Sequence, residues 1–401
     1  MNLTQWQAEA IVAGHICLDV IPEIASKEAG MGALLIPGKL VEIGPAVIST
    51  GGAVSNTGLA LHRLGVPTKL MGKVGNDGFG RAIIETLDRA GPGLSTGMIV
   101  APGEHSSYTL VISPPQVDRI FLHCTGANDT FSAEDINAAS VVGSRLFHFG
   151  YPPLMRNMFA DGGQQLASLL SVVKSERLTI SLDLAKPDPE SAAGRADWRA
   201  ILTRALPYVD IFLPSFEEIL YMLRRDLYDR ISREHGGTDE LLPYANGELL
   251  SLLADELIAM GAAIVALKLG EHGLYVKTTS DANRLKSMGY CAPEAAQEAN
   301  WLGREMLAPV FEVNVVGTTG AGDCTIAGFL AGLLKGLPLE TTLRSAVAVG
   351  AHNVEQADAV SGVPTWDKVM QRMKTGWRSR KMNLSLEGWQ YLSEQAIWMK
   401  S

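Results

Sequence analysis

Short extended apolar segments alternate with helix-patterned ones along most of this chain, and that alternation restricts the possible folds more than any other feature. Residues 10–18, 145–149, 179–182, 211–213 and 264–267 are runs of the strand kind. Between them, residues 53–64, 80–90, 155–173, 198–206 and 249–260 repeat apolar side chains at helical spacing. Sustained strand–helix alternation implies a mostly parallel sheet covered by helices on both faces. Two stretches break the rhythm. Residues 34–50 and 106–123 are strand-like, punctuated by turn residues such as Pro37-Gly38 and Pro114-Pro115, and would pair into a small sheet projecting from the body. Residues 226–247 and 279–310 are long polar connections, the second with a helical piece around residues 294–306.

Charge and cysteine usage exclude several function classes. Forty-three acidic against 34 basic residues leave a formal net charge of −9, which argues against broad nucleic-acid or anionic-membrane binding. Cys17, Cys124, Cys291 and Cys324 are widely spaced, which suggests neither a disulfide framework nor a zinc site and fits a reducing cytoplasm. The start MNLTQWQAEA lacks a basic leader region, and no apolar stretch approaches a membrane span. The expectation is a globular cytoplasmic protein.

The chemistry concentrates in Gly317-Thr-Thr-Gly-Ala-Gly-Asp323. The apolar run 311–316 before it reads as a strand. After it, Ile326, Phe329, Leu330, Leu333 and Leu334 recur at helical spacing. A Gly-rich turn feeding a helix directs free backbone N–H groups at one spot, where the helix dipole favours negative charge. Asp323 at that spot places a carboxylate beside an anion site, as a phosphoryl-transfer base requires. The glycine order is G-x-x-G-x-G, not the G-x-G-x-x-G of a dinucleotide turn. Residues 339–356 also read as helix where a dinucleotide fold needs another strand.

Other candidates are weaker singly. Asp19 reads as the end of the first strand, able to accept bonds from adjacent hydroxyls. Gly51-Gly52-Ala-Val-Ser-Asn56 opens a helix, its glycines permitting close backbone approach. Gly75 to Gly80 reads as a structural turn into the next helix. Ser215 and Glu218 have capping-box spacing, and Glu218 is also a candidate to orient water around magnesium. Lys268, Gly270 and Gly273 form a turn between two strand-like runs, with Lys268 suited to phosphate.

In their order along the chain these segments resemble the ribokinase/PfkB family of sugar kinases, from about residue 11 to 364, with GG-x-x-x-N and T-x-GAGD as the two signature regions. The resemblance implies a ribokinase-like three-layer α/β/α domain over residues 1–375. Its lid would come from about residues 20–50 and 105–125, and residues 376–401 would form a helical tail. It implies a phosphotransferase using ATP and Mg2+, acting on an alcohol group of a sugar-like small molecule. A nucleoside or inositol kinase, or a non-catalytic sugar or nucleotide sensor, are the alternatives. Asp323 would be the base, and the amides of Gly320, Ala321 and Gly322 the anion hole. Asp19, Gly51, Gly52 and Asn56 would hold sugar hydroxyls. Ser215, Lys268, Gly270 and Gly273 would line the ATP site, Asn353 would approach the adenine, and Glu218 would serve the metal through water. Tyr108, Arg119 and Asn128 are candidates for substrate selection, and the lid for a homodimer contact. The chain also departs from the family. Gly317 replaces an Asp of the monovalent-cation site, which argues against potassium activation by that route. Ser215 replaces an Asn. No lysine follows Gly52, which favours an unphosphorylated sugar.

Overall fold

The computed structural model describes residues 8–24, 36–113, 120–234 and 241–400. Pro114-Pro115 and Arg119 lie outside them. The strand-like segments assemble into a ten-stranded sheet whose centre is parallel: Ile264–Lys268, Ile211–Phe212, Thr179–Leu182, Leu146–Gly150, Ala10–Gly14 and Thr68–Met71 lie side by side in that order. Beyond Ile264–Lys268 the sheet continues antiparallel through Leu274–Thr278 and Glu305–Ala308.

Alternation along each strand divides the core between two faces. Ala10 and Val12 join one apolar cluster, with Leu59, Ile326 and Phe329, whereas Ile11 and Ala13 join the other, with Phe147, Phe149 and Leu170. Helices α1 (Ala53–Arg63), α2 (Ala321–Leu334) and α3 (Leu339–Asn353) cover the first face. Almost all of α2 is buried, its leucines and phenylalanine each contributing about 1.5–3 kcal/mol on leaving water. Asp323 is therefore a carboxylate at the start of an otherwise apolar, enclosed helix.

The two rhythm-breaking stretches do form a separate small sheet. Its order is Ala46–Gly51, Cys17–Pro22, Tyr108–Ile112, Ile120–Cys124. Val47, Ile48, Phe121 and Leu122 leave an apolar surface exposed on it.

Several expectations are corrected. Residues 376–400 contain no helix. Trp389–Leu392 and Ile397–Lys400 form a hairpin that adds to Glu305–Ala308, because Trp389 and Ile397 bury at strand spacing. The 279–310 connection likewise supplies a strand of the main sheet, Glu305–Ala308, with only the short helices Ala282–Lys286 and Glu298–Trp301 among the described residues. Much of 226–247 is helix, within Arg225–Glu234. The run 311–316 is not a strand. Phe311 makes a single bridge to Ser379, and Val315 and Val316 are exposed. Asp19 does not end the central strand, which stops at Gly14; it belongs to Cys17–Pro22 of the small sheet. No helix among the described residues is long and apolar enough to cross a membrane.

Candidate active site

The turn before α2 is built around Gly320, whose φ of 71° places it in left-handed backbone and whose Cα lies against the Ala359 carbonyl. A side chain there would be strained and would collide. Of the three amides expected to bind an anion, that of Ala321 is already committed, donating to the Thr318 carbonyl at 3.2 Å as the turn closes. The N–H groups of Gly320 and Gly322 meet no backbone carbonyl among the described residues. Two of the three amides are thus left without a backbone acceptor among the described residues.

Asp323 is buried, 6% exposed, and enclosed by donors from two other segments. Asn56 Nδ2 donates to Oδ2 at 3.1 Å. Thr57 Oγ1 donates to Oδ1 at 3.2 Å and the Tyr151 hydroxyl to the same oxygen at 2.5 Å. The GG-x-x-x-N segment reaches this spot because Gly52, at φ 89°, passes directly over His15. A Cβ on Gly52 would fall 2.5 Å from the His15 carbonyl oxygen. Gly51 similarly leaves room for Asp19, whose Oδ2 lies 2.3 Å from where a Cβ would stand. Burial raises the Asp19 carboxyl above its ordinary range. Tyr151 is held far above the usual phenol range, by burial first and then by the Asp323 and Asp183 carboxylates. It therefore donates its proton and does not lose it.

Lys268, Gly270 and Gly273 converge as expected. They line a cavity of about 620 Å3 with Phe311, Gly322 and Val347. Its mostly apolar walls suit a flat base, and the Gly322 amide opens at one end. The Lys268 ammonium is not idle there: Nζ bonds Asp183 Oδ1 at 2.5 Å. Burial acts to lower the Lys268 pKa, but the Asp183, Glu218 and Asp323 carboxylates outweigh it and raise the net value. Asp183 is a functional candidate the sequence reading passed over. The sign was its place at the carboxyl end of a central strand, where α/β sheets collect their ligands.

Asn353 and Asn128 are tied up inside the fold, and Ser215 and Glu218 form the capping box their spacing suggests. Asn353 does not reach the cavity; it is fully buried and its amide donates to the Thr319 carbonyl at 2.9 Å. Ser215 and Glu218 form the capping box of Phe216–Leu223, with Glu218 Oε2 accepting from the Ser215 N–H at 2.7 Å and Ser215 Oγ accepting from the Glu218 N–H at 3.2 Å. Asn128 is a buried pin, bonding both the N–H and the carbonyl of Ile16. The Gly75–Gly80 turn is structural, as read: Asp77 caps the helix Gly78–Ala90.

A second cavity of about 850 Å3 lies under the small sheet, lined by Tyr108, Phe121, His123, Asp129, Arg156 and Asp188. From His123 a run of rings leads inward: His15 at 5.2 Å between centroids, then Tyr151 at 5.9 Å, whose hydroxyl meets Asp323. Asp323 itself lines neither cavity. Its neighbour Gly322 lines the first, and the Tyr151–His15–His123 run connects it to the second.

Residues 12–366 match the pfkB family carbohydrate kinase family. The chain is 28% identical to an uncharacterised sugar kinase of Archaeoglobus fulgidus, over 76% of this chain and 98% of the relative. It is 25% identical to the 2-dehydro-3-deoxygluconokinase of Bacillus subtilis, over 83% and 89% respectively. Among solved structures, Arabidopsis thaliana ribokinase complexed with ribose and ATP superposes with a TM-score of 0.67 at 19% identity, covering 92% of this chain and 99% of that one. Fructokinase of Xylella fastidiosa with bound ATP gives 0.65 at 18% identity, with the same coverage. These structures share the ribokinase fold. The chain belongs to the pfkB family of carbohydrate kinases, and it is a kinase.

Proposed function

We propose that this kinase transfers the γ-phosphoryl group of ATP to a hydroxyl of an unphosphorylated sugar or sugar acid. The observation that carries the reading is the buried Asp323, whose neighbour Gly322 lines the first cavity and whose partner Tyr151 begins the ring run that leads to the second. ATP would occupy the first, its phosphates running past Lys268 toward the Gly320 and Gly322 amides. The sugar would enter under the small sheet, its hydroxyls held by Asp19 and Asn56. Tyr151 would release Asp323 Oδ1 to the acceptor hydroxyl, whose proton Asp323 takes as the new O–P bond forms. The two amides would hold the charge on the migrating group, each contributing about 3 kcal/mol by analogy with oxyanion donors. Glu218 fits a magnesium role through water, because its Oε1 is a hard oxygen left over from the cap and Asp183 lies close to the same lysine. Bound magnesium would neutralise phosphate charge.

The relatives' names span keto-deoxy sugar-acid, phosphofructose and nucleoside kinases, so the acceptor is the finer question. An ADP-release screen across free sugars, sugar acids, sugar phosphates and nucleosides, with and without potassium, tests both acceptor and cation. Turnover is expected with an unphosphorylated sugar or sugar acid and within twofold without potassium. A Cβ at position 317 would meet the Ala357 carbonyl at 2.9 Å, so this turn leaves no room for the acidic ligand. Activity confined to sugar phosphates or nucleosides would overturn the acceptor assignment.

Tyr151→Phe is expected to lower kcat/KM for the sugar about tenfold, the scale of one hydrogen bond to a charged group, with KM for ATP unchanged. Steady-state kinetics in each substrate checks this. Ile48, Leu110 and Leu122 share the face of the small sheet opposite Asp19, and two copies would associate through it.

A further inference from the structure

The lid root carries a cluster that phosphoryl transfer does not use. His15 sits in the link between strand Ala10–Gly14 and the lid strand Cys17–Pro22. Cys17 begins that lid strand, and His123 lies near the end of Ile120–Cys124. One ligand atom from each lies within 4.8 Å of the others. His15 Nε2 is 3.3 Å from His123 Nε2. Two nitrogens bound to one tetrahedral zinc at ~2.1 Å are ~3.4 Å apart, so the spacing is already that of a coordination edge.

The surroundings are built for it. Asp19 pairs with Thr109, and Thr109 with His123, across adjacent strands, so the three side chains share one face of the lid with Cys17. Thr109 Oγ1 lies 3.0 Å from His123 Nδ1 and donates to Cys17 Sγ at 3.6 Å. A hydroxyl that accepts from Nδ1–H leaves the Nε2 lone pair directed at His15. The same hydroxyl's proton steadies the sulfur. This is the outer contact that orients metal ligands. Asp19 Oδ1 lies 3.4 Å from Cys17 Sγ and belongs to the surroundings of the three ligand atoms, leaving the fourth position to solvent. His123 lines the open second cavity and supplies the entry path.

We infer that His15, Cys17 and His123 form a binding site for a late first-row divalent cation of the zinc type, joining the lid to the body. The borderline-soft N/N/S donor set separates it from the hard oxygen donors suited to magnesium. On binding, the Cys17 thiol gives its proton to solvent and the thiolate joins the two neutral imidazoles. The ion would engage His123, which lines the second cavity, and so compete with sugar. That last consequence rests on the proposed function, whereas the binding itself does not.

The test uses the full chain, reduced and stripped with chelator, titrated with Zn2+ against a chromophoric chelator and with Co2+ by absorption. One equivalent should bind, and cobalt should show a thiolate charge-transfer band that Cys17→Ser abolishes. His123→Ala, at an exposed position, should lose the tight site with an unchanged melting temperature. Thr109→Val should weaken binding about 10–100-fold. Absence of the thiolate band, or equal affinity in the Cys17 and His123 variants, would overturn the site whatever the kinase assay shows. Competition by Zn2+ against sugar but not ATP is the separate kinetic readout.

Discussion

Asp323→Asn is expected to fold, to bind ATP as the parent does, and to lose about 10²–10⁴-fold in kcat, the usual scale of general-base catalysis. The amide cannot take a proton, yet the site can absorb it. Its oxygen can replace Oδ1, where Thr57 and Tyr151 donate, and its NH2 then faces Asn56. Asn56 Oδ1 is buried with no partner among the described residues, so turning the Asn56 amide over supplies the acceptor the new NH2 needs. Loss of turnover would thus be separated from loss of structure. Calorimetric ATP binding and kcat by ADP release make the measurement. A kcat within tenfold of the parent would remove Asp323 from the base role.

Acid should unfold the protein partly through His148. This side chain lies wholly inside the central strand Leu146–Gly150, with Nδ1 2.8 Å from Ser181 Oγ and Nε2 without a partner. Burial, then the Lys268 charge, lowers its pKa to about 3. The unfolded chain takes up this proton near pH 6.5 and the folded one near 3. Stability from neutral His148 is therefore full above about pH 6.5 and is lost as pH falls toward 3, at about 1.4 kcal/mol per unit. Relative to His148→Gln, the parent should lose about 3 kcal/mol between pH 6 and 4. Urea melts of both proteins at stepped pH give the difference directly. Parallel curves would show that the folded state accommodates the charged ring.

The central sheet was legible because strands buried on both faces are largely apolar, as at Ala10–Gly14, and because long amphipathic helices separate them. Local signals misled where tertiary pairing decided the outcome. Residues 311–316 have strand composition but find only Ser379 to bridge, and the tail reads as helix until Glu305–Ala308 offers an edge. The site divided in the same way. The Asn56 and Asp323 segments announced themselves through glycines. Tyr151 and Asp183 were hidden, because a lone tyrosine or aspartate after a strand carries no spacing signal. Only sheet order brings Gly150 beside Gly14 and Asp183 within reach of Lys268. Asn353 shows the converse, since a polar residue late in a helix near the right turn can still face inward, to the Thr319 carbonyl.

The hairpin at the end of the chain has a bearing on the nucleotide side. Before entering it, the backbone runs along residues 310–312: Glu312 N–H donates to the Arg378 carbonyl, Arg380 N–H to the Val310 carbonyl, and Trp377 stacks on Phe311. Phe311, Glu312 and Arg380 are themselves cavity wall. Whatever tugs on, cleaves or anchors residues 376–400 would thus be transmitted to the wall of the first cavity, the proposed nucleotide site, making that hairpin a handle on nucleotide affinity.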